Sequence, residues 1–134
     1  TRLEAMRTRQ VMSLSGGERQ RAWIAMALAR QPEYLLLDEP TTYLDIAHQL
    51  EVMEIIKRLN REHAMTVIMV LHDINHALQY ADEIAVIKDK RIFSRGTPHD
   101  VLNVAMLAEV FGVHADIFTN SQGAQVLSPV SLVR

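Results

Sequence analysis

Two apolar segments, each followed at once by acidic or imidazole side chains, constrain the fold of this chain most strongly. The run Tyr34–Leu37 leads directly into Asp38 and Glu39, and the run Thr66–Leu71 leads into His72. Uninterrupted apolar runs of this length are typical of parallel strands that are buried on both faces. Because the carboxyl ends of parallel strands meet at one edge of a sheet, we expect the three polar side chains to lie close together.

A helix with an unusual start is predicted ahead of the first strand. Ser15-Gly16-Gly17-Glu18 has the spacing of a capping box, in which Ser15 accepts from the backbone of residue 18 and the Glu18 carboxylate reaches back. The two glycines leave N–H groups uncovered at the positive end of the helix dipole, which suits a bound phosphate. Small and apolar residues continue towards Pro32, which stops the helix, so we expect packing on most sides. Taken alone, the motif also fits an ordinary capped helix after a glycine turn.

The adjacent carboxylates project in different directions and are predicted to have different roles. Asp38 suits Mg²⁺, which favours one or two carboxylates together with phosphate oxygens and water. Glu39 is then left to orient or deprotonate an attacking water, and His72 to sense the γ-phosphate of a nucleotide. This layout is typical of a nucleotide hydrolase. The alternative is that Asp38 and Glu39 only cap the exit of the strand before Pro40.

The glycine-rich P-loop of such hydrolases, Gly-x-x-x-x-Gly-Lys followed by Ser or Thr, occurs nowhere in the sequence. The five glycines stand at positions 16, 17, 96, 112 and 123, and none of the lysines at 57, 88 and 90 follows a glycine. The chain is therefore expected to contain half of a nucleotide hydrolase.

Composition narrows the class of protein further. With 134 residues and 49% hydrophobic content, the chain can form one domain with a core, and the lack of cysteine excludes disulfides and thiolate metal sites. The net charge of −2 gives no general attraction to nucleic acid. No apolar run approaches the roughly 18–20 residues of a membrane span. We expect a cytoplasmic protein whose role at a membrane depends on a partner.

The remaining segments are predicted to support the fold. Asp45 should cap a long amphipathic helix. The turn at Asp89-Lys90 should be strained or longer, because glycine fits a tight turn more easily. One helix should run from Thr97 to about Ala108 before two short strands. The other histidines lack a motif context and are expected to be structural or exposed: His48, His63, His76, His99 and His114.

With these motifs in place, the chain resembles the C-terminal half of an ABC transporter ATPase subunit. Leu14–Glu18 is similar to the signature motif of the family, with Glu at a position where Gln is more usual, and Leu35–Glu39 is similar to the Walker B strand with its catalytic glutamate. Thr42–Asp45 is similar to the D-loop, and His72 to the switch histidine. The four motifs stand in the order of the family.

The resemblance extends to one branch, the ATPases of importers for ferric siderophores, haem and vitamin B12, among which ferric siderophore uptake is our first choice. It rests on Leu14–Met26, Leu44–Gln49 and Leu71–Asn75. It implies an α/β P-loop NTPase fold with a parallel core sheet, flanking helices and small C-terminal strands. The whole chain, 1–134, would be the C-terminal portion of one domain without its Walker A half: signature helix 14–31, Walker B strand 34–39, switch strand 66–72 and C-terminal subregion 83–134.

The resemblance also implies partners. Two ATPase subunits would sandwich ATP and Mg²⁺, with Ser15, Gly16, Gly17 and Glu18 at the nucleotide held by the P-loop of the other subunit and Asp45 communicating across the interface. Dimer closure would drive a membrane permease from the inner face of the cell membrane, and a periplasmic or lipoprotein substrate-binding protein would act indirectly. The complete subunit would be an ATPase, whereas this chain alone is predicted to be inactive.

Two other functions are compatible with the motifs. The ATPase heads of DNA-repair and chromosome proteins can also carry Leu-Ser-Gly-Gly-Glu, but no sustained heptad pattern precedes Leu14, and the net charge offers no DNA-binding face. A non-enzymatic fragment that pairs with an intact ATPase subunit is the third possibility.

Overall fold

The computed structural model describes residues 15–134, so Leu14, the first residue of the predicted signature segment, lies outside the described residues. The described residues up to His72 form one compact unit and Asp73–Arg134 form another. The chain has an α/β fold. The first unit contains α1 (Gly16–Leu28), β1 (Tyr34–Asp38), α2 (Ile46–His63) and β2 (Thr66–Val70).

Strands β1 and β2 run parallel, with α2 as the crossover between them. Their register pairs Tyr34 with Thr66 and Asp38 with Val70, so both strands end at the same edge of the sheet. Apolar side chains from α1, β1, α2 and the entry to β2 form the core of this unit: Ile24, Leu35, Val52, Met53, Ile56 and Met65.

The expectation that both faces of these strands are buried is wrong for the described residues. Burial alternates along β1, and Leu36 on one face is 73% exposed while its neighbour Leu35 is 5% exposed. Ile68, which pairs with Leu36 on β2, is 56% exposed. Nothing within residues 15–134 covers this face. Helix α1 likewise leaves Trp23 half exposed, so the predicted packing on most of its sides is also wrong.

The second unit begins with α3 (Ile74–Tyr80) and contains two antiparallel hairpins. The hairpin strands are β3 (Ile84–Lys88), β4 (Arg91–Gly96), β5 (Val113–Thr119) and β6 (Gln125–Leu132). Between the hairpins lie α4 (Pro98–Val101), α5 (Val104–Met106) and the π-helical turn Leu107–Phe111. Its core is one apolar cluster: Leu78, Val86, Val101, Leu102, Met106, Leu107, Ala115 and Leu127.

Two local expectations in this unit had different outcomes. Of the two turns expected at Asp89-Lys90, the strained one is found and the longer one is not: Lys88 pairs with Arg91, and Asp89 and Lys90 have φ values of +49° and +62°, in the left-handed region that favours glycine. The single helix from Thr97 to Ala108 is wrong. Asn103 is extended, and its side chain accepts a hydrogen bond from the backbone N–H of Met106, so it caps a new helix and breaks the predicted one.

A side-chain amide joins α3 to β6. Nδ2 of Asn75 donates to the carbonyl of Leu127 at 2.9 Å, and Oδ1 of Asn75 accepts from the N–H of Leu127, also at 2.9 Å. The two bonds occupy both backbone groups of Leu127, as a neighbouring strand would. The side chain of Leu127 is buried in the core. The pair of bonds therefore fixes the position of α3 along β6.

Replacing Asn75 by Ala should lower the free energy of unfolding by about 1–3 kcal/mol, because both backbone groups of Leu127 lose their partner in a part-buried site. Urea unfolding followed by circular dichroism measures this loss. Gln79→Ala, at an exposed position of the same helix, is the matched control and should change stability little. Equal effects of the two substitutions would contradict the assigned role of the amide.

Candidate functional site

The carboxyl ends of β1 and β2 bring two of the predicted site residues into contact. The N–H of Glu39 donates to the carbonyl of Val70 at 3.0 Å, which extends the strand pairing by one residue beyond β1. Two residues after the end of β2, the imidazole of His72 donates from Nε2 to Oε1 of the Glu39 carboxylate. The imidazole is 77% exposed and the carboxylate 35% exposed, so the pair faces outward from the sheet edge.

Glu39 is held in this position by the turn that follows it. Its φ is +49°, a left-handed conformation that costs a residue with a side chain about 1–3 kcal/mol and persists only where surrounding contacts enforce it. Thr42 provides two of these contacts: its N–H donates to the Glu39 carbonyl at 3.2 Å, and its hydroxyl donates to Oε2 of Glu39 at 3.2 Å. Both carboxylate oxygens of Glu39 therefore have a hydrogen-bond donor.

Asp38 differs from its neighbour. It is the last residue of β1 and is exposed, and within residues 15–134 its carboxylate has no hydrogen-bond or ion-pair partner. A carboxylate without protein partners can bind a hard cation such as Mg²⁺, which takes most of its ligands from phosphate and water. No cluster of three or more His, Asp or Glu side chains able to hold a metal ion occurs in the described part of the chain. If Asp38 binds such a cation, most of the other ligands must come from phosphate and water.

The loop after Glu39 is fastened to the start of α2. Asp45 caps this helix, and one carboxylate oxygen, Oδ1, accepts from the N–H of His48 at 2.9 Å and lies 2.7 Å from Nδ1 of the same residue. The backbone bond from His48 is the largest cause of a lowered pKa of Asp45, followed by the side-chain bond. Gln49 donates to the carbonyl of Leu44 at 3.1 Å, which fixes the end of the loop.

Sequence reasoning gave no site role to His48 or Gln49. Their positions could have indicated such a role. They lie three and four residues after the helix-capping Asp45, where side chains of the first turn face the loop that enters the helix. His48 has a second contact. A Cβ atom placed on Gly17 would lie 2.9 Å from Cδ2 of its ring, closer than packed carbon atoms approach.

The predicted capping box is present at the start of α1. The N–H of Glu18 donates to the Ser15 hydroxyl at 3.3 Å, and the N–H of Ser15 donates to Oε2 of Glu18 at 2.8 Å. By helix geometry, the N–H groups of Gly16 and Gly17 have no acceptor inside the helix. Gly16 is exposed, whereas Gly17 is buried. Within residues 15–134, Ser15 and Gly16 form no hydrogen bond with Glu39.

None of the helices described for residues 15–134 has the length and hydropathy that a membrane span requires.

Comparison with known proteins places these features in a family. A family model described as ABC transporter matches residues 1–42. The petrobactin import ATP-binding protein FpuC of Bacillus anthracis is 57% identical over 91% of this chain and 45% of its own length. The iron(3+)-hydroxamate import ATP-binding protein FhuC of Bacillus subtilis is 48% identical over 84% of this chain and 42% of its own length. The chain thus spans less than half the length of these relatives.

Solved structures agree with the sequence comparisons. A protein described as a metal-chelate type ABC transporter, in an inward-facing conformation, superposes with a TM-score of 0.83 at 28% identity over 91% of this chain and 50% of that chain. A dimeric ATP-binding cassette bound to ADP and phosphate superposes with a TM-score of 0.57 at 40% identity over 63% of this chain and 36% of that one. The chain belongs to the ABC transporter family and contains part of its ATP-binding domain.

Proposed function

We propose that the complete protein is the ATP-hydrolysing subunit of an importer for ferric siderophores, and that this chain supplies the C-terminal part of its ATP-binding domain. The observation that carries the proposal is the contact of Glu39 with His72 across the carboxyl ends of two parallel strands. Ligands of open α/β sheets bind at this edge.

In the proposed mechanism, Glu39 orients the attacking water and accepts its proton. Thr42 and His72 hold the two carboxylate oxygens, so the carboxylate need not reorient when the water arrives. The exposed ring of His72 can also approach a γ-phosphate at the same edge. Asp38, whose carboxylate has no partner within residues 15–134, would hold Mg²⁺, which would neutralise developing phosphate charge.

The capping box is proposed to serve a second nucleotide, held by another copy of the subunit. Ser15 accepts from the Glu18 N–H, and its own hydroxyl hydrogen remains available for a γ-phosphate. The N–H groups of Gly16 and Gly17 add donors at the positive helix end. The Glu18 carboxylate is turned back onto the Ser15 N–H, which supports a role in shaping this nucleotide-binding turn. The dimeric cassette bound to ADP and phosphate supports pairing of two subunits.

The proposed whole domain includes an N-terminal half that carries the P-loop. Three features support this: the sequence has no P-loop, the chain spans 45% of the length of its relative FpuC, and one face of the β1–β2 sheet is uncovered. Exposed Leu36 and Ile68 offer that face to further packing elements. Asp45, at the loop next to Glu39, would report on closure across the subunit interface.

The proposed substrate and location rest on the names of the relatives, not on the site. Relatives named for import of petrobactin and of iron(3+)-hydroxamate support ferric siderophore as the cargo. We infer that the subunit is bound to a membrane permease on the cytoplasmic side, where dimer closure on ATP would move the permease, and that a substrate-binding protein delivers the cargo.

Glu39→Gln in the complete subunit should lower ATP turnover about 10²–10⁴-fold, because the amide cannot accept the proton of the attacking water. ATP-bound dimers should persist, since the amide keeps the size of the carboxylate. Phosphate release and analytical size exclusion with ATP measure the two effects.

Glu33→Gln is the matched control for this prediction. Glu33 is exposed and directly precedes β1, at the end of the strand opposite Glu39. The control should retain turnover. Rapid turnover by Glu39→Gln would show that another group activates the water.

This chain alone should not be stabilised by Mg-ATP, because its sequence lacks the P-loop that holds the phosphates. Thermal unfolding with and without Mg-ATP tests this expectation. A ligand at about 100 times its dissociation constant would add about 2.7 kcal/mol, a shift of several degrees for a domain of this size. A clear upward shift would mean that the chain contains a complete nucleotide site of another kind.

A further inference from the structure

The imidazole of His48 occupies the space beside Gly17. A Cβ atom on Gly17 would stand 2.9 Å from Cδ2 and 3.1 Å from Cγ of the ring, and Gly17 is buried although the neighbouring Ser15 and Gly16 are exposed. The absence of a side chain at position 17 is therefore a condition for this contact. The contact joins the start of α1 to the first turn of α2.

The ring is also hydrogen-bonded on its other side. Nδ1 of His48 lies 2.7 Å from Oδ1 of Asp45, and the same oxygen accepts from the backbone N–H of His48 at 2.9 Å. Rotation of the ring away from Gly17 would break the first of these bonds. The orientation of His48 thus depends on Asp45, the last residue of the loop that begins after Glu39.

A second contact keeps the same two helices in register. Arg21, one turn beyond Gly17 on α1, forms an ion pair with Glu51, which lies three residues after His48 on α2. The N···O distance is 2.6 Å and the Arg21 side chain is 9% exposed. Since the two contacts lie one helical turn apart, the start of α1 and the start of α2 are expected to move together.

We propose that His48 is a positioning residue that couples the loop after Glu39 to the phosphate-binding turn Ser15–Gly17. Its ring packs against Gly17, and its Nδ1 is bonded to Asp45, so a shift of Asp45 would move the ring against Gly17. A shift of the loop at the subunit's own nucleotide is thereby passed to the turn that contacts the nucleotide of the other subunit. The inference rests on the proposed function, because the two phosphate sites that His48 would couple are themselves part of that proposal.

The test uses the complete subunit assembled with its permease in liposomes. His48→Ala should lower kcat for ATP about 5- to 100-fold, because the turn Ser15–Gly17 is misplaced at closure. The affinity of the isolated subunit for ATP, measured by fluorescence of a labelled nucleotide, should stay unchanged, because its own P-loop does not involve the turn. A purely structural role would lower the folded fraction without this separation of kcat from binding.

Two further substitutions separate the bond to Asp45 from the packing of the ring against Gly17. His48→Asn places an amide donor near the position of Nδ1 and keeps a planar group beside Gly17, so it should recover most of the lost kcat. His48→Phe keeps a ring but loses the bond to Asp45 and should not recover it. His63→Ala, at the exposed end of the same helix, is the control and should leave kcat unchanged. If Asn and Phe behave alike, the coupling through Asp45 is overturned, even where His48→Ala does not fold.

The sign of the change in Tm on substitution of Gly17 also tests the contact. Gly17→Ala should lower the Tm of the complete subunit, because the new methyl group meets the fixed ring. In the His48→Ala background the same change should raise Tm, because Ala favours a helix over Gly. An equal effect in both backgrounds would overturn the proposed contact.

The outcomes separate the two proposals. If the assembled wild-type complex does not hydrolyse ATP, the proposed function fails. If it does, and Glu39→Gln is inactive while His48→Ala turns over like wild type, the function stands and the role of His48 is wrong.

Discussion

The parallel register of β1 and β2 is the constraint on which the first unit depends. Pairing of Asp38 with Val70 brings both strands to one edge, and the bond from the Glu39 N–H to Val70 carries the pairing into the turn. A slip of one residue would exchange the buried and exposed faces of a strand, which would place Leu35 in solvent. It would also move His72 away from the Glu39 carboxylate. Core packing and the sheet-edge pair therefore specify the same register.

Local strain at this edge is held by polar contacts that lie close in sequence. Glu39 and Tyr43 both adopt positive φ, and two such residues in one short loop would not be expected from a relaxed backbone. Thr42 restrains the first through backbone and side-chain bonds, and Gln49 binds the carbonyl that follows the second. Strain of this kind is typical of functional loops, where the cost of one conformation is offset by its surroundings.

The sequence was informative where one local rule decides the structure. The capping box at Ser15 and the helix cap at Asp45 depend only on residues three apart, and both form as expected. The end of β1 was predictable to within one residue, because its apolar run stops at Asp38 and Glu39, whereas β2 ends at Val70, two residues before the predicted end at His72. Prediction failed at Asn103 although its capping bond to Met106 also joins residues three apart, because the helical pattern around it was given more weight than the cap. The environment of His48 was missed for another reason, because it depends on Gly17 from a different helix.

The sheet face that carries Leu36 and Ile68 is the strongest physical argument that further elements pack on this unit. A parallel strand pair buries apolar side chains on both faces only when layers lie on each side. Here Leu35 faces the core while Leu36 and Ile68 remain exposed, although the apolar runs carry no alternation of polar residues that would suit solvent. The sequence pattern thus fits a sheet covered on both faces.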